Sequence, residues 1–289
     1  MTTERPECTS ELARLREWRA GAGDRSVHFV PTMGNLHRGH LQLVERAARG
    51  GASVVVSIFV NPTQFAPGED FERYPRTLDA DLDALTGSGC ELVWAPSVET
   101  IYPLGAGGGF SVRAPSALAD RLCGATRPGH FDGVAGVVLR LLCQVRPQLA
   151  VFGEKDFQQL VIIRELVRDF SMSVEIEAAP TARDGDGLAL SSRNRYLDAD
   201  HRLRAPGLYQ VLTGTAEEAA QGDLGRYPEL AERALQRLEQ RGFEPEYVEF
   251  CDAGTLGAPR GHNDRLFAAA RLGPARLIDN VAVTRQIGL

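Results

Sequence analysis

A chain of 289 residues has room for one large or two modest domains at ~100–200 residues each, and its 43% hydrophobic content supplies a sizeable core. A net charge of −6 argues against a general nucleic-acid binder, and no run reaches the ~18 apolar residues of a membrane span. Five scattered cysteines (Cys8, Cys90, Cys123, Cys143, Cys251) form no Cys-x-x-Cys pair, and no basic-then-apolar leader opens the chain, so a cytoplasmic protein with free thiols and no structural zinc is expected.

Ser10 to Ala20 places Leu12, Leu15 and Trp18 at helical spacing behind Ser10 as N-cap and reads as a packing helix. The apolar run Val27 to Val30 then reads as a buried strand and Leu41 to Arg49 as a helix. Between them lies Pro31-Thr32-Met33-Gly34-Asn35-Leu36-His37-Arg38-Gly39-His40. A turn with two glycines leading into a helix start offers free backbone N–H groups and the positive end of the helix dipole to an anion. His37 and His40, three apart, share one face. Taken alone, the pattern is short enough to recur by chance, and a strand-to-helix turn with two surface histidines accounts for it better.

Ser53 to Val60 is β-branched and apolar and reads as a second buried parallel strand, ending at Asn61-Pro62-Thr63-Gln64-Phe65. Polar residues just past the end of a parallel strand lie where α/β sheets hold ligands, so Gln64 is either a substrate contact or a solvated loop residue. Tyr74 to Asp79 opens a further helix toward Gly87, and Leu92 to Ala95 reads as a strand. Gly105 to Gly109 is a glycine-rich loop; Phe110 stands where G-x-G-x-x-G needs its third glycine. Arg127-Pro128-Gly129-His130 introduces the apolar helix Val137 to Val145, and Arg127 with His130 serves either a second anion-contacting edge or turn structure.

Leu149 to Phe152 is the next strand, closed by Gly153-Glu154-Lys155-Asp156-Phe157-Gln158-Gln159 and followed by a helix from Leu160 to Phe170. In a parallel sheet this loop brings Lys155, Asp156 and one or both glutamines to the same rim as His37, His40 and Gln64. Of the 32 basic residues every one but Lys155 is arginine, which replaces lysine poorly where a compact, mobile ammonium must follow a phosphate. Val174 to Ala178 ends the alternating pattern and Pro180 marks a boundary. Beyond it, Leu190-Ser191-Ser192-Arg193-Asn194-Arg195 pairs hydroxyl donors with guanidinium groups, a composition suited to phosphate. Two helices (Tyr209 to Ala220, Pro228 to Arg241) and three strand-like segments (Tyr247 to Phe250, Arg265 to Leu272, Arg276 to Val283) then suggest a smaller α+β domain. The expected organisation is a parallel-sheet α/β domain over 1–180 and an α+β domain over 181–289.

The His-x-Gly-His pattern resembles the HIGH signature of the adenylate-forming nucleotidyltransferases, in which histidines contact the phosphates of ATP. Taken in order, PTMGNLHRGH, SIFVNPTQF, RPGHFDGV, FGEKDFQQL, GLALSSRNRYL and RLIDN closely resemble the pantothenate synthetase (pantoate–β-alanine ligase) family over nearly the whole chain. That resemblance implies a Rossmann-like nucleotidyltransferase domain with a smaller C-terminal domain, usually in a homodimer. It implies ATP-dependent condensation of pantoate with β-alanine through a pantoyl adenylate, with Mg2+ accompanying ATP and with neither nucleic-acid nor membrane partners. Residue by residue, it implies ATP contacts at Met33, Gly34, Asn35, Leu36, His37, Arg38, Gly39, His40, Gly153, Glu154, Lys155, Asp156, Ala182, Leu190, Ser191, Ser192 and Arg193. His40 matches the position described as a proton donor, and His37, Lys155 and Arg193 complete the expected catalytic set. Gln64 and Gln159 match pantoate-binding positions, Gln64 also lying near β-alanine. The Ser191–Arg193 loop is this family's counterpart of the mobile KMSKS loop. Asn35, Gly136, Leu190 and Ala275 depart from the residues usual in the family.

Overall fold

The computed structural model describes residues 4–285 apart from 67 and 70. In chain order the elements are β1 (Glu7–Thr9), α1 (Leu12–Gly21), β2 (Val27–Thr32), α2 (Arg38–Ala47), β3 (Ser53–Ile58), α3 (Leu78–Ala84), β4 (Cys90–Trp94) and α4 (Val98–Ile101). There follow α5 (Ser116–Ala119), α6 (Cys123–Thr126), α7 (His130–Val145), β5 (Leu149–Gly153), α8 (Phe157–Asp169) and β6 (Glu175–Ala179). The last group is α9 (Ala199–Arg204), α10 (Gly207–Ala220), α11 (Tyr227–Gln240), β7 (Glu244–Asp252), β8 (Asp264–Leu272) and β9 (Ala275–Ala282).

The chain divides into two compact units. The first holds the residues up to Pro115 together with Arg127–Glu154 and Ile162–Pro180; the second holds Ser116–Thr126, Lys155–Val161 and the chain from Thr181. One break of this division falls after Pro180, and two short earlier segments group with the later chain. Local bonds explain that grouping. Gln158 donates from Nε2 to the carbonyls of Leu118 and Arg121 at 2.8 and 2.7 Å and accepts from the Cys123 amide at 3.0 Å. Asn280 of β9 donates to the carbonyl of Lys155 at 3.1 Å.

The first unit carries a six-stranded parallel sheet in the order β1-β4-β3-β2-β5-β6. Its central strands are nearly continuous apolar runs, as burial on both faces requires, and Val54, Val55, Val56, Phe29, Val30, Leu92 and Trp94 are fully buried. Each such side chain contributes about 1.5–3 kcal/mol relative to exposure. Chain direction across the sheet reverses between β2 and β5: from β2 the chain moves outward through β3 to β4, then β5 starts on the other side. Ligands of open α/β sheets bind beyond the strand ends at such a switch point. The loops after β2 and β5 both leave the sheet there.

The second unit is a three-stranded antiparallel sheet, β7-β8-β9, covered by α10 and α11. Leu208, Leu212, Leu230, Leu238, Phe250, Leu266 and Leu272 form its buried core. All five cysteines are free; Cys90 and Cys251 are buried, which pushes each thiol up to about 12. β1, only three residues long, is a strand that the sequence pattern does not reveal.

Candidate active site

The first unit builds its site from the residues that follow β2 and β3. The motif helix starts earlier than its apolar spacing suggests: α2 begins at Arg38, so His37 is the N-cap and His40 lies in the first turn. The His37 amide donates to His40 Nδ1 at 3.3 Å, and the two rings stack with centroids 4.0 Å apart. With Nδ1 accepting, a neutral His40 carries its proton on Nε2.

The turn before this helix is held by a residue the sequence reading did not single out. Asp81 of α3 is 2% exposed and its carboxylate accepts from the Asn35 amide at 2.9 Å, the Leu36 amide at 2.7 Å and the Thr77 hydroxyl at 3.1 Å. Within the turn, then, the amides of Asn35 and Leu36 hold the protein's own carboxylate. Gly34 and Asn35 have φ of 78° and 52°, and a Cβ on Gly34 would lie 2.9 Å from Asp81 Oδ2. Only glycine fits the first position, and asparagine tolerates the left-handed conformation at the second better than alanine does. That accounts for the Asn35 departure.

Past β3, Asn61 organises a polar network although it is 1% exposed. Its Nδ2 donates to Gln64 Oε1 at 3.0 Å and to the Gly133 carbonyl at 3.1 Å, and its Oδ1 accepts from Tyr102 at 2.7 Å. Gln64 Nε2 lies 3.3 Å from Met33 Sδ, joining this loop to the turn after the neighbouring strand. Met33, His37, His40 and Gln64 therefore belong to adjacent loops of one unit, on the rim of β2 and β3. Gly153 and Glu154 leave the same sheet edge from β5. Arg127 and His130, read as either an anion edge or turn structure, bond to Glu69 and to the carbonyl of Gln64. The helix they introduce starts at His130, not at Val137.

The second unit holds the other expected residues. Lys155 lies in a short turn with its ammonium 3.9 Å from Asp156 and its side chain largely covered. Of the two glutamines that follow, Gln158 is turned inward and fully used on backbone groups, whereas Gln159 is half-buried. Spacing alone left these neighbours unseparated; the family resemblance is what singled out Gln159. Ala182 and Leu190 are brought together by a hydrogen bond from the Leu190 amide to the Ala182 carbonyl at 2.9 Å. Ser191 caps the turn Ser192–Tyr196, its hydroxyl accepting from the Arg193 amide at 3.3 Å, and Asn194 donates to the Ala189 carbonyl at 3.0 Å.

Two neighbours on β9 hold both of these segments. Asp279, its side chain 2% exposed, takes a two-point fork from Arg183 at 2.6 and 2.8 Å, and Arg183 also donates to the Gly187 carbonyl at 3.0 Å. Asn280 holds the Lys155 carbonyl and accepts from Arg265. Two adjacent strand residues thus anchor the lysine turn and the hairpin that leads to Ser191. The RLIDN segment carried the family resemblance, but its pattern gave no role to either residue.

The family model described as pantoate–β-alanine ligase matches residues 7–282. A pantothenate synthetase of Thiobacillus denitrificans is 53% identical over 268 residues, covering 92% of this chain and 93% of that protein. One from Halorhodospira halophila is 54% identical over 271 residues, with coverage of 92% and 93%. Among solved structures, pantothenate synthetase from Thermus thermophilus superposes with a TM-score of 0.88 at 45% identity, covering 96% of this chain and 99% of that one. A pantoate–β-alanine ligase from Francisella tularensis, complexed with β,γ-ATP and β-alanine, has a TM-score of 0.79 at 34% identity, with coverage of 96% and 98%. The chain belongs to the pantoate–β-alanine ligase family.

Proposed function

We propose that this protein condenses pantoate with β-alanine at the expense of ATP. A carboxylate oxygen of pantoate attacks the α-phosphorus of ATP, and the bond to pyrophosphate breaks, leaving pantoyl adenylate. The amine of β-alanine then attacks the acyl carbon; the C–N bond forms, AMP leaves, and the amine gives up a proton. The adenylate is needed because a bare carboxylate is a poor electrophile.

The first step brings one anion to another, so opposing charge and hydrogen-bond donors govern its barrier. Lys155 and Arg193 supply fixed positive charge toward the phosphates. His40 offers its Nε2 proton to a phosphate oxygen, a role supported by the bond from the His37 amide to Nδ1. His37 stacks on that ring and lies beside the same phosphates. Gly153 to Asp156, Ala182 and Leu190 to Arg193 complete the nucleotide contacts, and Gln64 and Gln159 hold pantoate, with Gln64 next to β-alanine. Magnesium would accompany ATP and supply further charge opposing that of the phosphates, in keeping with its reluctance to shed water for an all-protein cage. Holding the adenylate in place makes the second step effectively unimolecular.

A homodimer and a cytoplasmic location complete the reading. No helix among the described residues is long and apolar enough to cross a membrane. The observation that carries the proposal is the joining of Met33, His37, His40 and Gln64 on adjacent strand ends of a chain in this family. Exchange of labelled pyrophosphate into ATP tests it: exchange that needs pantoate but not β-alanine is expected. Exchange indifferent to pantoate would overturn the assignment of the acid substrate.

A further inference from the structure

We propose that Glu69, Arg127 and His130 are positioning residues for Gln64, fixing the backbone from which its side chain reaches the substrate. The inference rests on the reading of Gln64 as a pantoate contact. Gln64 follows β3, whereas Arg127 and His130 stand at the start of α7, so the clamp joins two parts of the first unit that are distant in sequence.

The carbonyl of Gln64 lies 2.8 Å from His130 Nδ1 and 3.3 Å from an Arg127 terminal nitrogen. Proton positions on His130 follow from its other neighbour. Arg127 lies 3.0 Å from Nε2 and has only donors to offer, so Nε2 accepts and Nδ1 carries the proton that is given to Gln64. Arg127 is itself fixed by Glu69, with Nε to one carboxylate oxygen at 3.0 Å and a terminal nitrogen to the other at 2.8 Å. A two-point fork of this kind sets both direction and distance.

The loop is pressed against the same helix from a second side. A Cβ at Gly133 would stand 2.2 Å from the Thr63 carbonyl oxygen and 2.8 Å from Gln64 Cα. Nothing larger than a hydrogen fits there. Asn61 then ties the side-chain amide of Gln64 to the Gly133 carbonyl through its Nδ2. Backbone and side chain of Gln64 are thereby both referred to the first turn of α7. Displacement of a substrate contact by ~1 Å can cost about 10²-fold in rate, which is the scale on which such a clamp acts.

The test is a mutant cycle read in kcat/KM for pantoate and KM for ATP, using pyrophosphate release by the full-length protein. His130→Ala is expected to lower kcat/KM for pantoate by about 10- to 100-fold while leaving KM for ATP within about twofold. In a Gln64→Ala background the same change is expected to cost less than about twofold, because a residue acting through Gln64 has nothing left to position. Glu69→Gln, a near-isosteric change that removes the charge fixing Arg127, is expected to act in the same direction more weakly, and it carries the cycle if His130→Ala does not fold. An undiminished effect on the Gln64→Ala background, or equal losses for ATP and pantoate, would overturn the clamp while leaving the role of Gln64 intact. Full pantoate efficiency in either clamp variant would do the same. Gln64→Ala with unchanged kcat/KM for pantoate would instead remove the reading on which the clamp depends.

Discussion

Asp81 occupies the place where a strand-to-helix turn would otherwise present its amides to a ligand. Its carboxylate neutralises the turn from beneath and fixes two successive left-handed residues, Gly34 and Asn35, so that His37 and His40 start the helix in one orientation. Replacing it by alanine removes the carboxylate that accepts from the Asn35 and Leu36 amides. At about 1–3 kcal/mol for each lost partner, Asp81→Ala is expected to lower the unfolding free energy by roughly 3 kcal/mol, measured by urea denaturation with the slope unchanged. Lys155 presents the opposite case in the proposed reaction, where the worth of the side chain lies in chemistry. Lys155→Ala is expected to reduce adenylate formation about a thousandfold, as loss of a transition-state charge partner does, while thermal unfolding stays near that of the parent. Near-normal pyrophosphate release in that variant would remove the lysine from the mechanism.

At the scale of elements, the contact between the loop after β3 and the first turn of α7 decides where Gln64 points. Gly133→Ala forces a methyl into the Thr63 carbonyl, and overpacking of this kind costs about 1–3 kcal/mol. A lower melting temperature together with a raised KM for pantoate is expected. The Glu69–Arg127 pair adds a pH signature. Burial works to raise the Glu69 carboxyl, but the hydrogen bonds and charge of Arg127 outweigh it and hold the group below its ordinary 4.5. A carboxyl lowered by folding stabilises the native state above its unfolded value, and the contribution fades as pH falls through the folded value. The stability difference between the parent and Glu69→Gln is therefore expected to be full at pH near 7 and to shrink on acidification below 4.5, followed by denaturant unfolding at each pH. A difference that grows on acidification would contradict that sign. The elements differ in how far sequence reveals them. β3 and β5 are legible because strands buried on both faces read as unbroken apolar runs. Arg127 and His130 stayed ambiguous because Glu69 and Gln64, the groups that decide their role, lie 58 and 63 residues from Arg127 along the chain.

For the molecule as a whole, the placement of motifs at strand ends was open to sequence reasoning, because a parallel sheet sends every such loop to one edge. Asp81 was not, since its role depends on α3 packing beneath a turn 46 residues away. Spacing did not decide between Gln158 and Gln159 either, because that turns on side-chain direction at adjacent positions; only the family resemblance named Gln159. Asp279 and Asn280 were hidden for a third reason: their partners, Arg183 and Lys155, lie 96 and 125 residues distant. What these buried polar residues share is that they hold backbone or side chains in place, and such work leaves no periodic pattern. The groups proposed to meet the phosphates, in contrast, stand in short motifs whose composition suits that chemistry and whose order along the chain carries the family resemblance.

The measurement that bears most directly on the two-step reaction is a mass-spectrometric product assay with ATP, magnesium and pantoate, run with and without β-alanine. Pyrophosphate formation that depends on pantoate, with pantothenate and AMP appearing only when the amine is present, is the expected result. Failure of a folded, ATP-binding protein to form pantothenate when all substrates are present would contradict it.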